Sequence, residues 1–140
     1  MRWEREFARR LQAPLSASFG TKFSEPLDEE IHRVAKVPKV DKGSTDVGDI
    51  SWRVPTGGLK TACFAMDSPG HSWQNVAAIG SSIGEKGTLY AAKVLACTAL
   101  DLVEKPAEVA RAKADWQQRM KGRKYLSLIP AGQQAPAQIR

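Results

Sequence analysis

The sequence predicts a piece of an α/β layered domain. Three observations carry this. An amphipathic segment opens the chain, with Trp3, Phe7 and Leu11 at i, i+4 and i+8. One short apolar run, 59–66 (LKTACFAM), reads as a strand between loop-forming stretches. A long, nearly all-apolar segment from Thr88 to Val103 then reads as a buried helix.

The first helix is placed at residues 3–13. It closes at Ala13-Pro14, because the residue before a proline is pushed out of the helical region. Residues 14–42 show no sustained period and carry Pro14, Gly20, Pro26 and Pro38, with one short turn of helix suggested at 27–32. So long a stretch without an element is unusual inside a compact domain. Residues 43–58 (GSTDVGDISWRVPTGG) have turn chemistry, with a short extended piece hinted at by Ile50, Trp52 and Val54. The strand at 59–66 is broken by Asp67-Ser68-Pro69-Gly70, and His71 to Asn75 follow on a loop.

Ser82 and Glu85 have capping-box spacing at the head of the long helix. Sixteen residues from Thr88 to Val103 would span about 24 Å, short of a bilayer's ~30 Å core, and Lys93 lies among them. Pro106 suits the first position of the next helix. Val109, Ala112, Trp116 and Met120 give that helix one stripe, and Gly122 ends it. Residues 125–130 read as short and extended, and the tail to 140 as frayed. The expected organisation is therefore a helix at 1–13, an irregular stretch at 14–42, loops and a strand at 43–81, two helices at 82–124 and a tail at 125–140.

Composition narrows the function classes. The 140 residues suit one domain, yet Leu, Ile, Val and Phe make up only about a fifth of them. One strand builds no sheet, and the long apolar helix has too little partner surface in this chain. Both point to a fold whose remainder lies elsewhere, and to exposed apolar surface beside 82–104 if the chain folds alone. Cys63 and Cys97 are 34 residues apart and His32 and His71 are 39 apart, so no closed structural zinc site is spelled out. Both cysteines sit in apolar runs and are expected as buried free thiols in a reducing compartment. Charged residues at positions 2 and 4–6 interrupt any leader-like apolar run.

The net charge is +6, and residues 105–124, with seven basic and two acidic side chains, account for most of it. A basic helix can bind polyanions, or can simply be a solvated face with its cations toward the C-terminus. Few aromatic residues are interleaved, so neither nucleic acid nor a membrane is expected as a partner.

Two places carry candidate chemistry. His71 follows a Pro-Gly turn just after the strand, where α/β folds place functional groups; it reads either as a ligand or as a surface or capping histidine. The loop Gly43-Ser44-Thr45-Asp46-Val47-Gly48-Asp49 offers backbone N–H groups, hydroxyls and carboxylates. It reads as a cradle for a carboxylate, as support behind the ligands of a metal, or as a plain turn. No Walker loop and no Ser–His or Cys–His nucleophile pair is indicated.

In order, GSTDVGDISWRVPT, TACFAMDSPGHSWQ and the helix at 82–104, with EFARRLQA before them and GRKYLSLIP after, resemble the C-terminal part of the di-metal amidohydrolases of the aminoacylase/carboxypeptidase family. The branch that cleaves aminobenzoyl-glutamate is the nearest in pattern. The resemblance implies a partial three-layer α/β/α, zinc-peptidase-like catalytic domain, of which only the C-terminal segment is present. It implies two zinc or manganese ions in the complete enzyme, with His71 as the last metal ligand and Gly43, Ser44, Thr45 and Asp46 near the substrate. It implies cleavage of an amide bond in an N-acyl amino acid such as aminobenzoyl-glutamate. It also implies, as partners, an N-terminal catalytic segment and a dimerisation domain, in a cytoplasmic oligomer. The family's upstream ligands and its glutamate base have no match here, and His32 has no matching context. The segment is therefore expected to be inactive alone. A non-catalytic binding module using the helix at 105–124, and a truncated remnant, are the alternatives.

Overall fold

The computed structural model describes residues 2–20, 22–23, 25–34 and 45–133. Five helices follow in order: α1 (Arg2–Phe19), α2 (Val47–Ser51), α3 (Trp73–Ile79), α4 (Ser82–Glu104) and α5 (Pro106–Met120). They fall into two compact units. One comprises Met1–Lys39 and Gly58–Glu104, the other Val40–Gly57 and Lys105–Arg140.

In the first unit, α1 runs past the boundary expected at Ala13-Pro14. Leu15 is buried on the same side as Ala8 and Leu11, while Pro14 is exposed. Burying Leu15 at a spacing of four from Leu11 offsets the backbone hydrogen bond that Pro14 cannot make. Gly20, at φ +64°, stops the helix, and its N–H reaches Ser16 O at 2.9 Å. The buried face is also turned by one residue from the expected Trp3-Phe7-Leu11 stripe. Glu4, Ala8, Leu11 and Gln12 point inward, and Trp3 stays 54% exposed, stacked on Phe7 at 5.0 Å.

The core of this unit is small: Ala8, Leu11, Ala65, Ala78 and Ile83, with Phe7, Leu27 and Ala77 packed against it. Gln12 is the buried bracket. Its Nε2 donates to Glu25 O and to Met66 O, each at 3.0 Å, tying both loops to α1. Among the described residues no strand forms. At the end of segment 59–66, Met66 N–H donates to Pro26 O at 2.9 Å. A strand needs a neighbour to bond to, and 59–66 has none among the described residues. Residues 27–32 are irregular, with bends at 27 and 30, and form no turn of helix.

The start of α4 differs from the expected capping box. Ser81 is the capping side chain, its Oγ accepting from Ile83 N–H at 3.2 Å. Ser82 is already helical and donates to Glu4 Oε1 at 3.0 Å. Lys86 also bonds that carboxylate and, with Ser82, holds Glu4 well below the usual carboxylate range. The first turns of α4 pack closely because Gly84 and Gly87 carry no side chain. A Cβ on Gly84 would lie 2.2 Å from Ile79 O.

Beyond Gly87 the helix is uncovered. Leu89 is 58% exposed, Leu95 57%, Leu102 44% and Val103 81%, as the sequence leads one to expect for a helix apolar on all sides with little to pack on. Cys97 is exposed for the same reason, which corrects the expectation of two buried thiols, and Cys63 is half-buried. No helix among the described residues is long and apolar enough to cross a membrane.

In the second unit, the alternation of Ile50, Trp52 and Val54 gives no extended piece. Val47–Ser51 is helical, and Arg53 and Val54 N–H groups turn back onto Ile50 O at 2.9 and 3.1 Å. The sequence of α5 begins with Pro106 in its first turn, and Lys121 in the left-handed region (φ +46°) caps its end, with Gly122 following at φ +75°.

Candidate functional site

His71 belongs to the first unit. The turn Asp67–His71 is built on two left-handed residues, Asp67 at φ +57° and His71 at φ +56°. Neither is glycine, so both positions are sparsely populated and costly. The turn is held from the helix that follows. Ser72 is the N-cap of α3, its Oγ accepting from Asn75 N–H at 3.4 Å. Asn75 Nδ2 donates back to Pro69 O at 3.0 Å. Buried Gln74 and Ala78 anchor α3 beneath. The result presents an exposed His71 imidazole on a strained turn with a fixed base.

Two buried polar atoms of this turn have no hydrogen-bond partner among the described residues: Ser68 Oγ and Asn75 Oδ1. Buried polar atoms are almost always satisfied. They flank the candidate ligand at positions −3 and +4. Sequence reasoning singled out His71 but missed these two. The Ser-Pro-Gly and N-cap patterns around them were the available signals.

The loop Gly43-Ser44-Thr45-Asp46 belongs to the second unit. Gly43 and Ser44 lie outside the described residues. Thr45 and Asp46 lead into α2. Thr45 O accepts from Gly48 N–H at 3.0 Å, and its Oγ1 accepts from Val47 N–H at 3.4 Å. Asp46 is the N-cap residue of α2 but makes no side-chain cap, which leaves its carboxylate exposed.

What positions this loop was not foreseen from the sequence. Tyr125 OH donates to Asp49 Oδ1 at 3.0 Å, and Trp116 Nε1 donates to Ser51 O at 2.8 Å. Arg53 lies over the Tyr125 ring at 4.8 Å and Arg123 over the Trp52 ring at 5.4 Å. α5 and the segment after it thus clasp α2, and aromatic side chains 65 and 76 residues away in sequence hold the loop.

His32, the other histidine, bonds both oxygens of Asp28 at 2.8 Å, and that carboxylate raises its pKa above the ordinary histidine value. It is an exposed ion-pair residue of the 25–34 loop. Among the described residues no three His, Cys, Asp or Glu side chains come together to hold a metal ion. A catalytic zinc takes three protein ligands. His71 supplies at most one of them.

No family model matches the chain, and no solved structure matches it. Two characterised proteins do. The chain is 36% identical over 104 residues to one of the subunits of p-aminobenzoyl-glutamate hydrolase from Escherichia coli (strain K12), a match covering 74% of this chain and 22% of that protein. It is 34% identical over 86 residues to Xaa-Arg dipeptidase of Mus musculus, covering 61% of this chain and 20% of that protein. The chain spans about a fifth of the length of these relatives. By its sequence, the chain belongs to the amidohydrolase and peptidase family that these two proteins represent.

Proposed function

We propose that the chain is the C-terminal catalytic-domain segment of a metal-dependent amidohydrolase, part of a three-layer α/β/α domain completed by other polypeptide. The carrying observation is the 36% identity over 104 residues to a hydrolase of which the chain covers only 22%. The substrate class is an N-acyl amino acid such as aminobenzoyl-glutamate, taken from that relative's name. In this reading, His71 is one metal ligand, presented on its strained turn. Gly43, Ser44, Thr45 and Asp46 form the wall beside the substrate, with Asp49 and Ser51 holding that loop to Tyr125 and Trp116. The two divalent ions, zinc or manganese, would supply polarisation of the amide carbonyl and an activated water.

The described residues do not by themselves fit a two-metal centre. The remaining ligands and the base belong to the N-terminal catalytic segment, and a dimerisation domain completes the cytoplasmic oligomer. The chain alone is inactive.

Assaying the purified chain with zinc or manganese on aminobenzoyl-glutamate is expected to give no turnover; His71-dependent turnover by the chain alone would overturn this. Adding the missing N-terminal segment of the related hydrolase is expected to restore activity that His71→Ala abolishes. Undiminished activity in that variant would sink the ligand assignment.

The contacts of α5 lend no support to a polyanion-binding module. Arg111 and Arg119 are paired along the helix with Glu108 and Asp115. One face each of Trp52 and Tyr125, which base stacking would need, is taken by an arginine.

A further inference from the structure

Gly70 and His71 form the turn between Pro69 and Ser72. A tight turn with positive φ at its third position favours glycine or asparagine there. Here the glycine stands one position early, at Gly70, which keeps its φ out of that range, and His71 takes the left-handed place at φ +56°. Local preference therefore does not account for the conformation of His71. A non-glycine residue stays left-handed only where its surroundings over-determine it. The group that does so comes from α3. Asn75 Nδ2 donates to Pro69 O, two residues before His71, at 3.0 Å. Asn75 N–H donates to Ser72 Oγ, the residue after it, at 3.4 Å. Two bonds from one residue thus bracket His71.

Asparagine is a telling choice at this place. It stands three residues after the N-cap Ser72, where a helix by itself favours glutamate or glutamine. The atom facing the Pro69 carbonyl is the amide nitrogen, since two acceptors would repel. That orientation leaves Asn75 Oδ1 buried with no partner among the described residues, which is costly. Capping α3 does not require that cost, whereas latching the turn does.

We propose that Asn75 is the positioning residue for His71: its amide bond to Pro69 O holds His71 left-handed and so sets the direction of the imidazole. The role of that imidazole rests on the amidohydrolase reading; the latch itself does not.

Nuclear Overhauser spectra of the isotope-labelled 140-residue chain test it. A left-handed residue brings its own amide and α protons close together, which gives a strong intraresidue cross-peak. The parent should show that cross-peak at His71, and one Asn75 side-chain amide proton should exchange slowly. Asn75→Ala and Asn75→Asp, the second keeping the shape but losing the donor, should each weaken the cross-peak about twofold or more with helicity unchanged. Ser72→Ala removes the cap but not the Pro69 bond, so it should speed amide exchange in α3 and leave the cross-peak as it is. Adding His71→Asn to Asn75→Ala should restore the cross-peak at that position, because asparagine adopts the left-handed region readily. A cross-peak that survives both Asn75 variants, or is lost equally in Ser72→Ala, would overturn the proposal. So would an Asn75 side-chain amide that exchanges in the parent as fast as a free one. None of these measurements uses metal or substrate. If the N-terminal segment of the related hydrolase restores no activity, the amidohydrolase reading falls and the latch is still judged by its cross-peak. If activity returns, Asn75→Ala should lower kcat about tenfold or more and leave KM within about threefold; an unchanged kcat would count against the positioning role.

Discussion

Gly87 of α4 lies directly against Cys63: a Cβ built on it would sit 2.6 Å from Cys63 Sγ and 2.7 Å from Ala62 O. That contact seats segment 59–66 on α4, and Gly84, one turn earlier, does the same for the end of α3.

Gly87→Ala should therefore destabilise the first unit, although alanine is the better helix former by about 1 kcal/mol. Overpacking of this kind costs about 1–3 kcal/mol. Gly84→Ala should cost at least as much, since all three of its nearest atoms are Ile79 backbone. Urea unfolding monitored by circular dichroism reads both. Combining Gly87→Ala with Cys63→Ala should recover only part of the loss, because Ala62 O remains in the way.

Glu4 makes the first unit sensitive to acid. Its carboxylate is buried, bonded by Lys86 and Ser82, and its pKa is depressed. A depressed carboxylate contributes stability above its unfolded pKa of about 4.3, and that stability is lost as pH falls through the lower folded value. Glu4→Gln should thus be less stable than the parent at neutral pH, with the gap closing as the solution is acidified below about pH 4. A gap that stays constant from pH 7 to pH 2 would show that the ion pair is not the cause.

The His32–Asp28 pair works in the opposite direction at its histidine. Raised by Asp28, His32 stabilises its loop fully below about pH 6.5, and the contribution disappears as pH rises through the elevated folded value. Asp28, lowered by His32, contributes above about pH 3.9 and loses that as pH falls. The pair is exposed, so its effect on global stability is small. The sensitive readout is the His32 ring-proton NMR titration. Its midpoint should lie above about 6.5 and move down in Asp28→Asn.

In the second unit, Tyr125→Phe removes the Asp49 hydrogen bond but keeps the ring beneath Arg53. Trp116→Phe removes the donor to Ser51 O. Each should cost about 0.5–1.5 kcal/mol locally. Amide hydrogen exchange at Val47–Ser51 should rise in both variants while exchange in α1 stays unchanged.

Among the described residues, α1, α4 and α5 were legible from residue order, whereas α2 and α3 stand where loop or extended chain is expected. The all-apolar run of α4, the Pro106 start of α5 and the three-to-four spacing in α1 are local signals that survive folding. Pro14 shows the limit. Its local preference says stop, and the burial of Leu15 carries the helix five residues further. Ser82 shows another: its spacing from Glu85 spells a cap, but Glu4, 78 residues away, takes its hydroxyl.

His71 and the Ser-Thr-Asp loop could be singled out because turn chemistry and motif order are written along the chain. Residue order likewise sufficed to foresee that α4 would be short of cover, since its apolar content exceeds what the rest of this chain can bury. Tertiary structure alone decided which face of α1 is buried, which serine caps α4, and that Trp116 and Tyr125 hold α2. Those outcomes turn on contacts between residues tens of positions apart, and such contacts depend on which surfaces meet in space, a property that periodicity and local propensity do not encode.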